Sequence, residues 1–334
     1  MQIDIKTSNV KPIRNTYKYV EKRFGDKVAS RYQEASYDIQ EEINFHYRPL
    51  WQPEHEIFDA TRTVIKMQDW YVLKDPRQLY YGSYTQTRAR QQEVLESNFT
   101  FVEKNHLLIN IPAALLEKAE QLLLPLRHYE WGANMNNSFI TGYAYGATLT
   151  NATMFATMDR LGSAQYLSRI GLLLDGNQGT SLEQSKQDWL GSTCWQPLRQ
   201  SMEQMFVVQD WYELFVAQNL VFDGYFYPLV KLIVDRDLVA HGAAAISLLT
   251  AFMNEWFEET QPWMNSVLKT TAAESEHNRQ QLMNWIADWQ GQARSAVLTL
   301  LQAFDGDESD LELLDDLFAK RLSKIGLNLV EIAA

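Results

Sequence analysis

The chain has a single cysteine among its 334 residues, Cys194. One thiol excludes an intramolecular disulfide and is typical of a protein that works in a reducing cytoplasm. A nucleophilic thiol needs a base beside it, and the flanking residues Thr193 and Trp195 offer none. The sequence therefore predicts that Cys194 is a packed, inert thiol.

Basic surface and long hydrophobic runs are also scarce. The net charge is −12 and no stripe of Lys and Arg is present, which excludes the phosphate contacts of a nucleic-acid partner. The longest apolar stretch, residues 243–253, is far shorter than the roughly 20 residues of a membrane span. Residues 1–6 have no charged-then-apolar signal pattern. We therefore expect a soluble cytoplasmic protein with no nucleic-acid and no membrane partner.

Histidine, the usual metal ligand, occurs only six times. In helical bundles that bind two metal ions, two helices each give one Glu and two others each give a Glu-x-x-His pair. Two such pairs occur, Glu103-x-x-His106 and Glu274-x-x-His277. The first lies close to a helix break at Pro112, and the second lies in the polar stretch 270–281. Both are interpreted as chance matches, and we expect no metal site on this chain.

The other histidines give no better set of ligands. His128 lies in a long helical stretch, but the residue three before it is Pro125, and a hydrogen-bonded core histidine is the favoured interpretation. His46 and His55 flank an aromatic segment and are interpreted as packing or interface residues, and His241 has no carboxylate three residues ahead of it. A Gly-rich phosphate loop, a Gly-x-Ser-x-Gly elbow and a Cys/His cluster are all absent from the sequence.

What the chain does contain is apolar and aromatic. Apolar residues make up 46% and aromatic residues 12%, so a packed globule is expected. Helical patterns follow one another from about residue 53 and strand signals are weak, which predicts an all-α fold. Residues 1–50 carry large rings in a charged segment without a clean period, which predicts an extended aromatic-rich N-terminal arm that lies across another surface. Residues 51–334 are predicted to form a single large helical domain.

Local signals place the helices within that domain. Helix starts are predicted at Pro53-Glu54, Asp75-Pro76, Thr180-x-x-Glu183 and Ser309-x-x-Glu312. Three long stretches are expected, each with a proline that should kink or end a helix: 112–147 with Pro125, 197–234 with Pro228, and 239–270 with Pro262. Apolar spacing predicts buried faces over 202–219 and 314–325, with a stop at Gly326. Small residues between Gly132 and Ala147 indicate close approach of a neighbouring helix. The acidic run 305–316 is typical of a solvated loop and a helix start, with a docking face for a basic partner as the alternative.

Three strings carry a resemblance to a known family. Residues 45–59 read Phe-His-Tyr-Arg-Pro-Leu-Trp-Gln-Pro-Glu-His-Glu-Ile-Phe-Asp, and residues 69–84 read Asp-Trp-Tyr-Val-Leu-Lys-Asp-Pro-Arg-Gln-Leu-Tyr-Tyr-Gly-Ser-Tyr. Residues 127–133 add Arg-His-Tyr-Glu-Trp-Gly-Ala. The chain resembles the beta subunit of bacterial multicomponent diiron monooxygenases, most closely the phenol hydroxylase branch, over about residues 10–325.

The resemblance implies a ferritin-like helical bundle that is related to the catalytic alpha subunit but carries no cofactor of its own. The catalytic relative has Glu-x-Arg-His on two helices. By resemblance, the first of these positions reads Pro125-Leu-Arg-His128 here and the second reads Glu255-Trp-Phe-Glu258, with Asp223 in the place of an unpaired glutamate. Neither half can complete a ligand set, so the diiron centre is expected on the partner alpha subunit.

The function that the resemblance implies is a non-catalytic structural subunit of an NADH- and O2-dependent phenol or aromatic monooxygenase. Its partners would be the alpha subunit and a small gamma subunit in an (alpha-beta-gamma)2 hydroxylase, with a regulatory protein and a reductase in the same system. Six aromatic residues are candidate partner-contact or structural anchors, with ordinary core packing as the alternative for each: Tyr47, Trp51, Trp70, Tyr80, Tyr81 and Tyr84. The competing hypotheses are a self-contained ferritin-like diiron oxidase or oxygenase, and a helical adaptor outside oxygen chemistry.

Overall fold

The structure, a computed structural model, describes residues 16–42 and 46–327. These residues form thirteen α-helices: α1 Lys18–Phe24, α2 Arg31–Ser36, α3 Tyr81–Lys104, α4 Ala113–Leu123, α5 Leu126–Tyr143, α6 Ala147–Leu174, α7 Thr180–Gly191, α8 Gln196–Met205, α9 Trp211–Phe215, α10 Asp223–Ile233, α11 Ala244–Glu274, α12 Glu276–Ala303 and α13 Glu308–Lys324. Within the described residues no strand occurs, and the predicted all-α fold class is confirmed. In the same part of the chain, no helix combines the length and the apolarity that a membrane crossing needs.

The core is a bundle in which α5 and α6 form a tightly packed hairpin. A π-helical segment, Val216–Phe222, joins α9 to α10 in one helical run that packs against α5. Helix α11 lies against α10 and α3, and α12 closes the bundle across α8 and the π-helical segment. Most buried apolar side chains belong to one continuous cluster inside these helices.

The described part of the predicted N-terminal arm lies on the bundle of its own chain. It contains α1 and α2 rather than only extended backbone. Asn151 Nδ2 on α6 donates to the carbonyl of Ala35 at 2.9 Å, and the amide of Asp75 donates to Tyr32 Oη at 3.1 Å. Residues 1–15 and 43–45 of the arm, and residues 328–334, lie outside the described residues. The boundary at residue 50 stays a prediction.

Two predicted helix starts are wrong because the segment after the arm is mostly irregular. Within residues 46–80 the regular structure consists of two 3-10 turns, Ala60–Arg62 and Trp70–Val72. Pro53 begins no helix, and the carboxylate of Asp75 accepts hydrogen bonds from the amide and the guanidinium of Arg77. A side chain that satisfies its own turn in this way competes with helix formation.

Neither predicted capping box forms at its predicted residues: α7 has no box, and the box of α13 lies two residues earlier. Helix α7 begins at Thr180 itself, with Gly179 at its N-cap, and the Thr180 side chain bonds to Asp175 instead. Helix α13 is capped by Asp307, which forms the reciprocal box with Asp310. At the other end of α13 the predicted stop is confirmed, since Gly326 takes a positive φ of 78° and the helix ends at Lys324.

The long helical stretches are confirmed in part. Pro125 separates α4 from α5 as predicted, whereas Pro228 lies inside α10 and Pro262 lies inside the 31-residue α11. The stretch 197–234 is interrupted between α8 and α9, where Asp210 accepts from the amides of Tyr212 and Glu213 and starts a new helix. A strong cap therefore interrupts an apolar pattern that reads as continuous.

Gly146 fixes the sharp connection between α5 and α6. Its φ is +94°, and a Cβ there would lie 3.3 Å from Trp70 Cβ. Its amide donates to Gln40 Oε1 at 2.6 Å. The hairpin, the arm and the Trp70 turn therefore meet at a residue where a side chain would be tightly crowded and where the backbone conformation favours glycine.

We expect Gly146→Ala to lower the free energy of unfolding by about 1–3 kcal/mol, because alanine is strained at this φ. Gly142→Ala is the matched control, since Gly142 is helical and a Cβ there meets no atom within 4 Å. The control should be neutral or stabilise by up to about 1 kcal/mol. Urea unfolding, monitored by circular dichroism, measures the free energy of unfolding of both variants. Equal effects would contradict the conclusion that the backbone at position 146 favours glycine.

Candidate functional site

The centre of the bundle holds three ionisable side chains from three helices. Glu130 on α5, Arg160 on α6 and Asp223 on α10 are each no more than 1% exposed. Arg160 Nη1 donates to Glu130 Oε2 at 3.1 Å, and Arg160 Nη2 donates to Asp223 Oδ2. One guanidinium therefore bridges two buried carboxylates and joins the three helices.

Two tyrosines complete the hydrogen bonds of this cluster. Tyr227 Oη donates to Glu130 Oε1 at 2.7 Å and accepts from Arg160 Nη1 at 2.8 Å. Tyr129 Oη donates to Asp223 Oδ1 at 2.7 Å. Each of the four carboxylate oxygens thus has a donor, as buried charged groups require.

The π-helical segment Val216–Phe222 lies beside this cluster, and its polar side chains form hydrogen bonds with side chains of α5. Gln218 Oε1 accepts from Asn136 Nδ2 at 2.9 Å, and Asn219 exchanges amide hydrogen bonds with Asn137 at 3.1 and 3.2 Å. All four amide side chains are buried. The wide turn presents two successive polar side chains to the same neighbouring helix, an arrangement typical of π-segments at specialised sites.

Burial dominates the electrostatics of the cluster. It raises the pKa of the Glu130 carboxyl, and the neighbouring Arg160 guanidinium and Tyr227 hydroxyl oppose that shift. Burial alone lowers the pKa of the Arg160 guanidinium, but Asp223 and the other acidic neighbours outweigh it and hold that pKa above its usual value. Burial also raises the pKa of Tyr129 and Tyr227, so both phenols remain protonated donors.

The side chains at this centre do not fit a dinuclear metal centre. Glu130 and Asp223 match the single carboxylates that two helices of such a bundle supply. On α6, however, the residue that meets them is Arg160, with Ser163 three positions later, and no histidine is buried in the described residues. Among those residues, no group of three or more His, Cys, Asp or Glu side chains is placed to hold a metal ion.

The first ligand position that the resemblance implied is wrong. His128 stacks on Trp189 with ring centroids 5.8 Å apart, and its Nε2 is buried without a hydrogen-bond partner. The carboxylate of α5 that meets the centre belongs to Glu130, two residues later, and Asp223 does lie at the expected place. Two residues on a helix point to different faces, so Arg127-His128 faces outward of the cluster.

The second implied ligand position is also wrong. Glu255 and Glu258 on α11 are exposed, while Trp256 and Phe257 between them are buried. The guanidinium of Arg160 lies over the ring of Trp256, 4.3 Å from its centroid. Helix α11 therefore contributes aromatic rings to the centre, where a metal-binding bundle would contribute a carboxylate and an imidazole.

Neither Glu-x-x-His string lies at this centre, and one of them contacts the irregular segment. Glu274 Oε1 accepts from the amide of Gln68 at 2.9 Å, and His277 Nε2 lies 3.2 Å from the carbonyl of Val64. Glu103 and His106 are both exposed at the end of α3. The interpretation of both strings as chance matches agrees with this geometry.

The remaining single residues have local partners. His55 Nδ1 lies 2.7 Å from Asp59 Oδ2, His46 meets the ring of Tyr47 edge-on, and His241 Nδ1 lies 3.0 Å from a backbone carbonyl. Cys194 is half-buried against the core, with its Sγ 3.1 Å from Ser192 Oγ. This agrees with a packed thiol.

A second polar cluster explains the string around Asp75-Pro-Arg. Arg88 on α3 makes two hydrogen bonds of 2.7 Å to Asp159 on α6 and bonds of 2.8 and 3.0 Å to Glu259 on α11. Arg77 pairs with both Asp75 and Glu259. The string thus anchors the irregular segment to α11 and is structural.

Beside this cluster, an open groove of about 430 Å³ lies between α3, α6 and α11.

The six candidate anchors divide by exposure. Trp70 and Tyr84 are buried: Trp70 packs on Trp211, and Tyr84 stacks on Phe155. Tyr80 is half-buried. Tyr47, Trp51 and Tyr81 are 81%, 71% and 75% exposed, and Trp51 Nε1 donates to Tyr143 Oη at 2.9 Å. Structural packing accounts for the first two, and contact with a partner stays a prediction for the three exposed rings.

The outer face of the α5–α6 hairpin carries no charge. The exposed residues of the two helices are Trp131, Met135, Ser138 and Gly142 on α5, and Met154, Met158, Leu161 and Gln165 on α6. Bonds from Asn134 to Thr157 and from Thr141 to Thr153 set the register, which brings Trp131 level with Leu161. In a chain with 22% charged residues, an uncharged surface rich in Trp and Met is typical of a protein interface.

Sequence reasoning missed both Arg160 and Glu130. A signal was present, since both charges lie in helical stretches that are mostly apolar, aromatic or small, with one other charge nearby: Arg127 for Glu130 and Asp159 for Arg160. Such a charge is either solvent-exposed or buried with a partner, and periodicity alone did not assign its face.

The comparisons with known proteins agree with this architecture. Residues 51–275 match the family model described as methane/phenol/alkene hydroxylase. The chain is 50% identical to the phenol 2-monooxygenase oxygenase component DmpL of Pseudomonas sp. strain CF600, over 98% of each chain. It is 49% identical to the oxygenase component MhpL of Acinetobacter pittii strain PHEA-2, over 89% of each chain. A crystal structure of xenon-pressurised phenol hydroxylase from Pseudomonas sp. OX1 superposes with a TM-score of 0.92 at 46% identity, covering 97% of this chain and 99% of that one.

Within the described residues the chain is a helical bundle without strands. This fold and its buried centre define a protein of the ferritin-like hydroxylase class. More particularly, the chain belongs to the methane/phenol/alkene hydroxylase family. The resemblance to the phenol hydroxylase branch is thereby confirmed.

We expect His128 to make stability depend on pH. Burial, with Arg127 and Lys186 nearby, lowers its pKa from 6.5 to about 4. Between pH 6.5 and 4 the unfolded state binds the proton more readily, so stability falls as pH falls through this window. His128→Phe keeps the stack on Trp189 and should remove about 1–2 kcal/mol of that loss, a value discounted because the ring is partly exposed.

The measurement is urea unfolding of both proteins at pH 7 and pH 5. The difference in unfolding free energy between the two pH values should be smaller for His128→Phe than for the wild type. Parallel pH profiles would show that His128 titrates alike in the folded and unfolded chain.

Proposed function

We propose that this chain is the non-catalytic beta subunit of the hydroxylase component of a phenol or aromatic monooxygenase that uses NADH and O2. It scaffolds a larger catalytic alpha subunit that carries the diiron centre, and it carries no cofactor itself. The single cysteine and the acidic surface support work in the cytoplasm. The relatives support the class of reaction, because they are oxygenase components of phenol 2-monooxygenases.

The observation that carries the scaffolding role is the uncharged outer face of the α5–α6 hairpin. Trp131, Met135, Met154, Met158 and Leu161 are each at least 40% exposed. Such residues on the two central helices of a bundle lose apolar contact with water when another subunit covers them, at about 25 cal/mol per Å². We assign this face to the alpha subunit, and we propose that the gamma subunit, the regulatory protein and the reductase bind elsewhere in an (alpha-beta-gamma)2 hydroxylase.

The alternative of a self-contained diiron oxidase is not favoured by the arrangement of the centre. It needs two carboxylates and two Glu-x-x-His pairs in one chain. Here Arg160 meets Glu130 and Asp223, and Trp256 and Phe257 replace the ligands of α11.

The direct test is expression of the chain with and without its genomic neighbours. The lone chain should hold far less than one iron per polypeptide and show no oxygen-dependent turnover of phenol. Co-expressed, it should purify in a stable complex with a larger chain that holds the iron. Iron is measured by inductively coupled plasma mass spectrometry, and stoichiometric iron in the lone chain would reject the proposal.

The docking face is tested by Leu161→Glu in the co-expressed complex. A carboxylate buried in an interface should weaken binding by about 2 kcal/mol, or about 30-fold in Kd. The matched control is Leu313→Glu on α13, because Leu161 and Leu313 are both 45% exposed. Kd is measured by surface plasmon resonance with the purified alpha subunit, and an equal loss in both variants would show that the assigned face is not the interface.

A further inference from the structure

The carboxylates of Glu130 and Asp223 face one another across a space that contains one cation. They come from two helices, α5 and α10, and both are buried. The side chain between them comes from a third helix, and it is the guanidinium of Arg160. The carboxylates therefore match the single carboxylates that two helices of a metal-binding bundle supply, while the chain supplies its own positive charge.

The charge of two carboxylates at this point has to be relieved. Two carboxylates in a low-dielectric interior repel each other, and each loses its hydration on burial. The repulsion can be relieved by protonation, by a metal ion or by a basic side chain. A planar guanidinium can direct separate N–H groups at two carboxylates, which an ammonium group on a flexible stem does less well.

We propose that Arg160 is a built-in cation that occupies the place and supplies the charge of a dinuclear metal centre, so that the core of this chain folds without metal. Several contacts hold the cation in place: Arg160 bonds to Glu130, Asp223 and Tyr227 and lies on the ring of Trp256. The inference concerns the chain itself and does not depend on which subunit it binds.

A second buried guanidinium lies beside this cluster. Arg321 on α13 is buried, with 7% of its surface exposed, and its Nη1 lies close to Gly224, the residue after Asp223. Burial lowers the pKa of Arg321 to about 10, and Asp223 opposes the shift. Its Nε donates to Asn265, and its two Nη atoms have no hydrogen-bond partner. Arg321 thus places a second positive charge near Asp223, outside the hydrogen-bonded cluster of Glu130, Arg160 and Asp223.

The first experiment compares Arg160→Lys with Arg160→Met in the full chain. If charge is the function of the residue, lysine should keep most of the wild-type Tm. Methionine leaves two buried carboxylates without a cation and should lower Tm by a further 5–15 °C or so. Arg88→Met is the matched control, because Arg88 is also largely buried and also pairs with two carboxylates, Asp159 and Glu259.

The second experiment asks whether a metal ion can take the place of the guanidinium. Arg160→Glu combined with Ser163→His restores a Glu-x-x-His pair on α6 beside the carboxylates of Glu130 and Asp223. This variant should bind about one Co²⁺ per chain, with the visible absorption of a protein-bound Co²⁺ ion, and its Tm should rise on binding. Arg160→Glu with Ser163→Ala lacks the imidazole and should bind Co²⁺ more weakly.

The proposal is supported if Co²⁺ raises the Tm of Arg160→Met and of the Glu/His double variant but leaves the wild type and Arg88→Met unchanged. It is overturned if lysine and methionine at position 160 cost equally, or if Co²⁺ raises the Tm of no variant or of Arg88→Met as much. If Arg160→Met gives no soluble chain, we measure the Tm of Arg160→Lys and of the Glu/His double variant, each with and without Co²⁺. A rise in the Tm of the double variant with Co²⁺ then supports the proposal, and no rise overturns it.

Discussion

A buried charge has to be compensated where it lies, and that constraint organises this molecule around Arg160. Its guanidinium bonds to Glu130 on α5 and Asp223 on α10, so three helices share one point of fixed register. Breaking a buried ion pair costs far more than an exposed one. A slide of any one of these helices by a single residue would leave a charge in the core without its partner. Tyr129 donates to Asp223 and Tyr227 donates to Glu130, and these hydrogen bonds fix the orientation of the two carboxylates.

Helix α6 extends this restraint to the other side of the bundle. Asp159 precedes Arg160 and lies on a different face of the helix, where it accepts from Arg88 and from Trp256 Nε1 at 2.8 Å. The ring of the same Trp256 lies under the guanidinium of Arg160. Two adjacent residues of opposite charge thus tie α6 to α5 and α10 on one side and to α3 and α11 on the other. Through Glu259, the second cluster also holds the irregular segment at Arg77.

The sequence predicted the class of the fold and the family, and it failed at the centre, for one physical reason. The order of aromatic residues around Asp75-Pro-Arg is specific to the family and can be recognised without knowing which side of a helix faces the core. The orientation of α5 about its axis decides whether His128 or Glu130 meets the core, and these two residues are two positions apart on that helix. Helix α6 also departs from the usual pattern in its middle, with Arg160 buried and Met154 and Leu161 exposed, although Leu149, Leu167 and Ile170 are buried. Hydrophobic periodicity assumes that apolar residues are inside, so it misplaces the residues in the middle of this helix.

That departure connects the centre of the bundle with its surface. Asp159 and Arg160 lie inside in compensated pairs, and the exposed residues of α6 are uncharged. On α6, the ion pairs of Asp159 and Arg160 and the exposed Met158 and Leu161 are therefore two consequences of one distribution of residues. The inner pairs hold the hairpin rigid without a metal ion, and a rigid apolar face loses little conformational entropy when it binds. The proposed built-in cation suits the proposed scaffolding role, because the shape of the docking surface would then not vary with the supply of iron.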